Sequence, residues 1–161
     1  MKKDKDLQVE RKKYNKQCIR ERSSLIVACH LPTYGIGYNG DLLFKIKDDL
    51  SYFKSKTTNC IIIMGYNTWK SIGSKPLKNR INIVLTRNNI NQVDTETNKD
   101  TYVFNDFKPL YHFLKNNYID KDIYYIGGSE IYKTVVENDL IEYMYITEIT
   151  KEGDVQHDTV F

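Results

Sequence analysis

The sequence predicts an α/β domain with three layers, a mainly parallel central sheet carrying helices on both faces. Three observations carry this. Short runs rich in β-branched and aromatic residues recur along the chain, stretches of helical length separate several of them, and glycines stand where strands give way to helices. Such alternation implies crossover connections, which parallel strands require.

The expected strands are Ser24–His30, Cys60–Met64, Ile81–Thr86, Thr101–Phe104, Ile123–Ile126 and Glu142–Ile149, each bounded by polar turn residues. Helices are expected at Asp48–Ser55, Asn67–Ile72, Phe107–Asn116 and Ser129–Glu137, with Asp106 and Ser129 as candidate starts. Asn88–Asp100 is polar and reads as an exposed loop. At 161 residues the chain fits one domain, placed at 24–161. Residues 1–23 read as a basic, disordered extension: residues 1–22 hold nine Lys or Arg against four Asp or Glu, and the rest carries −2. Leu7, Tyr14 and Cys18 would form a short helical stripe there.

Composition excludes several classes. Apolar residues make up 40% and charged residues 28%, with a mean hydropathy of −0.56, as in a globular chain. Cys18, Cys29 and Cys60 are odd in number and lack C-x-x-C spacing, so neither a disulfide framework nor a metal site is expected. No apolar run suits a signal peptide or a membrane span, and the basic extension carries no nucleic-acid motif. The expectation is a cytoplasmic protein with no membrane or nucleic-acid partner.

The most informative segment is FKIKDDLSYF, Phe44–Phe53. On a helix, Ile46, Asp49, Leu50 and Phe53 share one face, so a single carboxylate turns toward apolar residues. Burial there would raise its pKa and let it hold or relay a proton. The alternative is that Asp48 and Asp49 only favour the helix N-terminus through its dipole, which lowers the pKa. IGGSEIY, Ile126–Tyr132, follows one strand and opens a helix, and glycines there let a pyrophosphate approach backbone N–H groups. A tight turn needs the same glycines. MGYNTWKSI, Met64–Ile72, repeats the arrangement at Gly65, and two such turns at the carboxyl edge of a parallel sheet would form a ligand crevice. Arg80 and Arg87 flank Ile81–Thr86 and suit carboxylate or phosphate, although each alone also suits a solvated surface.

Taken in order, these segments resemble dihydrofolate reductase from Ser24 to Phe161. SLIVA looks like the family's first strand, IGYNGDLLF like its I-G-x-x-G-x-L-P-W loop, and DDLSYFK like its D-L-x-x-F-K helix. MGYNTWKSIG, NIVLTR, IGGSEIY, ITEI and DTVF follow in the family's order. The resemblance implies NADPH-dependent reduction of 7,8-dihydrofolate to tetrahydrofolate, supporting one-carbon and thymidylate metabolism. It implies Asp49 as the carboxylate that binds the pterin edge and assists protonation at N5, with Thr147 hydrogen-bonded to it. The substrate slot it implies comprises Ile26, Val27, Leu42, Phe44, Asp49, Leu50, Phe53, Ile72, Arg80, Ile126, Tyr132 and Thr147. Arg80 would meet the glutamate carboxylate. The NADPH contacts implied are Ala28, Ile36, Gly37, Gly65, Tyr66, Asn67, Thr68, Leu85, Thr86, Arg87, Ile126, Gly127, Gly128, Ser129, Glu130, Ile131 and Tyr132, with Arg87 on the 2′-phosphate. The Pro32–Leu43 loop would be the gate. Antifolates such as methotrexate or trimethoprim are the expected inhibitors, and nothing in these residues shows a fusion to thymidylate synthase.

The chain departs from the family pattern at Leu43-Phe44 for Pro-Trp, Lys47 for proline, Ser129 for the third glycine and Tyr66 for a basic residue. It also stops at Phe161, where the family adds two strands. A truncated domain lacking its C-terminal antiparallel hairpin is therefore expected, leaving Glu142–Ile149 an open edge. The rivals are a pyrimidine reductase of the riboflavin pathway with the same fold, and an inactive folate- or NADPH-binding fragment.

Overall fold

The computed structural model describes residues 17–42, 45–153 and 155–161. Within them the chain runs β1 (Ser23–Leu31), β2 (Gly35–Tyr38), β3 (Asp41–Leu42), α1 (Lys47–Thr57), β4 (Ile61–Gly65), α2 (Tyr66–Ser71), β5 (Ile81–Leu85), β6 (Thr101–Phe104), α3 (Phe107–Asn117), β7 (Ile123–Gly127), α4 (Ser129–Glu137), β8 (Tyr143–Thr150) and β9 (Thr159–Val160). A 3-10 turn at Ile90–Gln92 lies between β5 and β6. All strands join one sheet, ordered β3-β2-β1-β7-β4-β5-β6, with β8 added to β1 and β9 to β2.

Ladders among β1, β4, β5, β6, β7 and β8 are parallel, and those involving β2 are antiparallel. Successive side chains on a strand point to opposite faces, and the core divides accordingly. Leu25, Val27, Ile61, Ile63, Ile83 and Tyr125 pack with Leu110 and Leu114 of α3 and with Ile131 and Val135 of α4. Ile26, Ile62, Met64, Val84 and Tyr124 pack on the other face with Trp69 of α2 and Phe53 of α1. The α/β architecture with helices on both faces is thus present, and the interior strands are buried on both sides, as their unbroken apolar runs require.

Three short strands escaped the sequence reading. β2, β3 and β9 are four, two and two residues long, too short for a period to register. The expected start of the packed body near residue 23 is also shifted. Residues 17–21 are helical, Ile19 is buried in the core, and Ser23 Oγ donates to the Ile19 carbonyl. Arg20 bridges Asp139 and Glu142, so the last turn of the supposed extension is docked. Leu7 and Tyr14 lie outside the described residues. Among the described residues β8 is paired on one side only, by β1, and Tyr143, Met144 and Ile146 are exposed on it.

Candidate functional site

The site is made by two strands parting. β1 pairs with β7 only over Ser23–Leu25, and on that side pairing resumes only at His30 with β2. Its other edge stays in register with β8 through Leu31, so Ile26–Cys29 face a gap. The opposite wall is irregular as well. Ile63 pairs with Tyr125 but Met64 with Gly127, which leaves Ile126 as the extra residue of a bulge. The Tyr132 hydroxyl, buried on α4, reaches across and donates to the Ile26 carbonyl at 2.8 Å. Burial pushes that phenol far above its ordinary pKa, so it remains a hydroxyl donor at any physiological pH.

Glycines let the backbones close up at the carboxyl edge. Gly127 has φ +121°, a region L side chains rarely adopt, and a Cβ there would stand 3.2 Å from Tyr132 Oη. A Cβ on Gly65 would meet Ile131 Cγ1 at 3.5 Å and the Gly128 nitrogen at 3.8 Å, and one on Gly128 would meet Thr68 Oγ1 at 3.5 Å. Gly65 and the Gly127–Gly128 pair therefore form one cradle, roofed by the start of α4. This is the side-by-side arrangement of two strand ends expected from the sequence.

Opposite the cradle, α1 turns Asp49, Leu50 and Phe53 into the cleft. The helix face that turns Asp49 toward apolar residues borders open space: Ile46 is 40% and Leu50 43% exposed, and Asp49 is half-buried. Ile46 caps the helix without a side-chain hydrogen bond, and Asp48 and Asp49 occupy the first turn. Deeper along the slot, Arg80 is held three ways. Its Nε donates to Thr57 Oγ1 at 2.9 Å, an Nη donates to the Lys78 carbonyl at 3.1 Å, and its carbon centre lies 5.7 Å from the Phe53 ring. Burial lowers its pKa, yet a guanidinium stays charged in any protein. At the mouth, Lys45 and the Leu42 N–H hold the Asp41 carboxylate below its usual range.

One continuous cleft of about 2100 Å³ contains these groups. Sites for a single small ligand are typically about 300–1,000 Å³, so the space suits two ligands side by side. Nearly all the residues expected from the sequence line it: Ile26, Val27, Ala28, Ile36, Gly37, Leu42, Asp49, Leu50, Phe53, Gly65, Tyr66, Asn67, Thr68, Ile72, Arg80, Leu85, Thr86, Arg87 and the run Ile126–Tyr132. Phe44, and Leu43 beside it, lie outside the described residues.

Among the described residues no hydrogen bond joins Thr147 to Asp49. Thr147 sits on β8 in register with Ala28, two residues beyond Tyr145, whose ring centre lies 4.4 Å from Lys56 Nζ of α1. It therefore shares the sheet face on which α1 packs. Sequence reasoning also missed Asn88, Asn89, Asn105 and Phe107, which border the cleft. The signal available was positional: β5 and β6 run parallel, so the residues leaving both strands emerge at the same edge. Asn88–Asp100, expected as an exposed loop, instead buries Val93 against Trp69. Among the described residues there is no cluster of metal-ligating side chains and no helix long and apolar enough to cross a membrane.

A split parallel sheet with a glycine cradle at its carboxyl edge defines the class: an α/β protein that binds its ligands in a topological crevice. The dihydrofolate reductase family model matches residues 23–161. The chain therefore belongs to the dihydrofolate reductase family, a family of oxidoreductases. A dihydrofolate reductase of Candida albicans is 33% identical over 135 residues, covering 78% of this chain and 67% of that protein. One of Heliothis virescens is 31% identical over 145 residues, 84% of this chain and 77% of that protein. A bifunctional dihydrofolate reductase-thymidylate synthase of Paramecium tetraurelia is 34% identical over 118 residues, 73% of this chain, and the match spans 24% of that longer protein.

Proposed function

We propose that this chain reduces 7,8-dihydrofolate to 5,6,7,8-tetrahydrofolate with NADPH. The observation that carries the reading is a single cleft uniting the glycine cradle, the carboxylate of Asp49 and the tethered guanidinium of Arg80. Cradle and cofactor fit, because Gly65, Gly127 and Gly128 bring the ends of β4 and β7 together without side chains and so leave backbone exposed for a pyrophosphate. Added Cβ atoms there would press on Ile131, Tyr132 and Thr68. When bound there, NADPH supplies the hydride.

The remaining work falls to the protein's own groups. The gap beside Ile26–Cys29 and the bulged Ile126 offer backbone hydrogen-bonding groups to a flat heterocycle. Asp49 hydrogen-bonds the pterin edge and, from one side of the ring, orients it and favours protonation at N5 by water. Arg80 takes the substrate's distal carboxylate, fixing the long axis of the molecule. Leu50, Phe53 and Ile72 wall the slot and exclude bulk water. Arg80 and Asp49 together favour a substrate with a carboxylate tail over one bearing a ribityl phosphate.

The test is dihydrofolate-dependent loss of NADPH absorbance, with Asp49→Asn alongside. Turnover by the unaltered chain and a loss of about 10²–10⁴-fold in the variant at neutral pH are expected. Equal rates would remove Asp49 from the mechanism. Methotrexate binding without turnover in either form would favour the binding-fragment reading.

A further inference from the structure

The cleft ends against a bridge that the proposed reaction does not explain. Tyr66, the first residue of α2, donates its hydroxyl to Gln92 Oε1 at 2.7 Å. Gln92 closes the 3-10 turn that follows β5. The next residue, Val93, is 6% exposed and buried in the same apolar cluster against which Tyr66 packs. On the other side, the Thr86 N–H donates to the Phe104 carbonyl at 2.9 Å and extends the β5–β6 pairing. Arg87 thus lies between two fixed points, Thr86 in the sheet and Gln92 on the bridge. It is exposed, lines the same end of the cleft as Tyr66, and has no ion-pair partner among the described residues. Lys70 Nζ lies 5.2 Å from the Tyr66 ring and brings a second cation to this end.

From this geometry we propose that Tyr66 is a positioning residue for cofactor selection. Its bond to Gln92 holds the Arg87 segment in place, and preference for an adenosine ribose bearing a 2′-phosphate depends on that bond. The inference rests on the reading of the cleft as a dinucleotide site. A guanidinium on a braced segment loses less conformational freedom when it pairs with phosphate, so bracing raises affinity without adding a contact. The single hydroxyl proton of Tyr66 is donated to Gln92, so while that bond holds the phenol cannot also donate to a phosphate, and its effect passes through Arg87.

Binding of adenosine 5′-monophosphate and of its 2′-phosphorylated counterpart to the whole chain, measured by calorimetry, tests this without turnover. The unaltered chain should prefer the phosphorylated ligand. Tyr66→Phe should cut that preference about fivefold, the worth of one hydrogen bond, and leave the unphosphorylated ligand within about twofold. Gln92→Ala, at an exposed position, should reproduce the effect and guards against misfolding of the first variant. Arg87→Ala should abolish most of the preference, and Tyr66→Phe in that background should change it no further. Equal weakening of both ligands by Tyr66→Phe, an unchanged preference, or additive losses with Arg87→Ala would each overturn the proposal. No preference in the unaltered chain would overturn it together with the NADPH reading. A preference insensitive to Tyr66 would overturn the proposal alone.

Discussion

Thr57→Val separates tail recognition from chemistry. Thr57 is fully buried, accepts from Arg80 Nε at 2.9 Å and donates to the Phe53 carbonyl at 2.8 Å. Valine matches its shape but offers neither bond. The Phe53 carbonyl remains within a helix whose backbone can still satisfy it, so the main change is at Arg80. That side chain keeps the Lys78 carbonyl and the Phe53 ring but loses the restraint on Nε. One hydrogen bond involving a charged group is worth about 1.5–3 kcal/mol at most, and part of this returns when water replaces the hydroxyl. A loss of about 1 kcal/mol is left, or roughly fivefold in affinity.

In the proposed binding mode Arg80 meets the tail and not the reacting ring, so the expected loss is uniform between bound substrate and transition state. KM for dihydrofolate should rise about fivefold with kcat unchanged. The assay is steady-state turnover at saturating NADPH, run in parallel with a reduced pterin that lacks the glutamate. The tailless substrate should be handled equally by both forms. A fivefold rise for both substrates, or a fall in kcat with KM constant, would refute the reasoning and place Thr57 in support of the ring pocket.

Further outcomes follow from the same geometry. Gly127→Ala forces a Cβ to 3.2 Å from Tyr132 Oη at φ +121°, a strain of about 1–3 kcal/mol, and should lower Tm while weakening NADPH binding. Calorimetric Tm and fluorescence titration check both effects, and an unchanged Tm would mean the turn can relax. Ile63→Ala, at a position with no exposure in the core of the central strand β4, should cost about 2–5 kcal/mol, read as a shifted urea midpoint with the slope unchanged. Burial first, and then Tyr145, pushes the Tyr124 phenol up to about 12, against about 10 in an unfolded chain. The folded state thus resists deprotonation that the unfolded chain undergoes, so this stability is complete below about pH 10 and lost as pH climbs toward about 12. Urea midpoints across that range should fall together with the appearance of tyrosinate, and flat midpoints would contradict the burial argument.

Legibility in the sequence followed the range of the interactions. Strands such as IIIM and INIVL were readable because both of their faces are buried, and α4 was placed to the residue because a glycine turn precedes it. β2, β3 and β9 were not, since each exists only through a partner distant in sequence: Gly37 pairs with Leu42 and with Thr159. The docked turn at residues 17–21 was hidden by its charges. Arg20 and Arg22 look solvated in a basic stretch, yet Arg20 reaches Asp139 and Glu142, and Arg22 donates to the Lys121 carbonyl. Charge count says nothing about such pairings across more than 90 residues of chain, whose partners only the fold brings near.

The site shows the same limit in sharper form. Gly127 and Gly128 announce a turn, and Asp49 announces an acid near apolar residues, but a turn and an acid do not make a cleft. The cleft exists because the β1–β7 ladder ends after Leu25 at the level where Ile126 bulges out of the β7–β4 ladder. Each irregularity alone would leave unpaired backbone groups, which are costly when buried. Placed opposite one another they hold β1 and β7 apart, and Tyr132 satisfies the Ile26 carbonyl across the opening. A variant that removed the Tyr132 hydroxyl would therefore act on the spacing of the two walls as well as on stability. Tyr132→Phe should destabilise by about 1–3 kcal/mol, the range for a buried acceptor left unsatisfied. It should also weaken the binding of flat heterocycles more than that of adenosine nucleotides, whose proposed place is at the cradle and not in the gap. Equal weakening of both would show that the gap is set by the strand register alone.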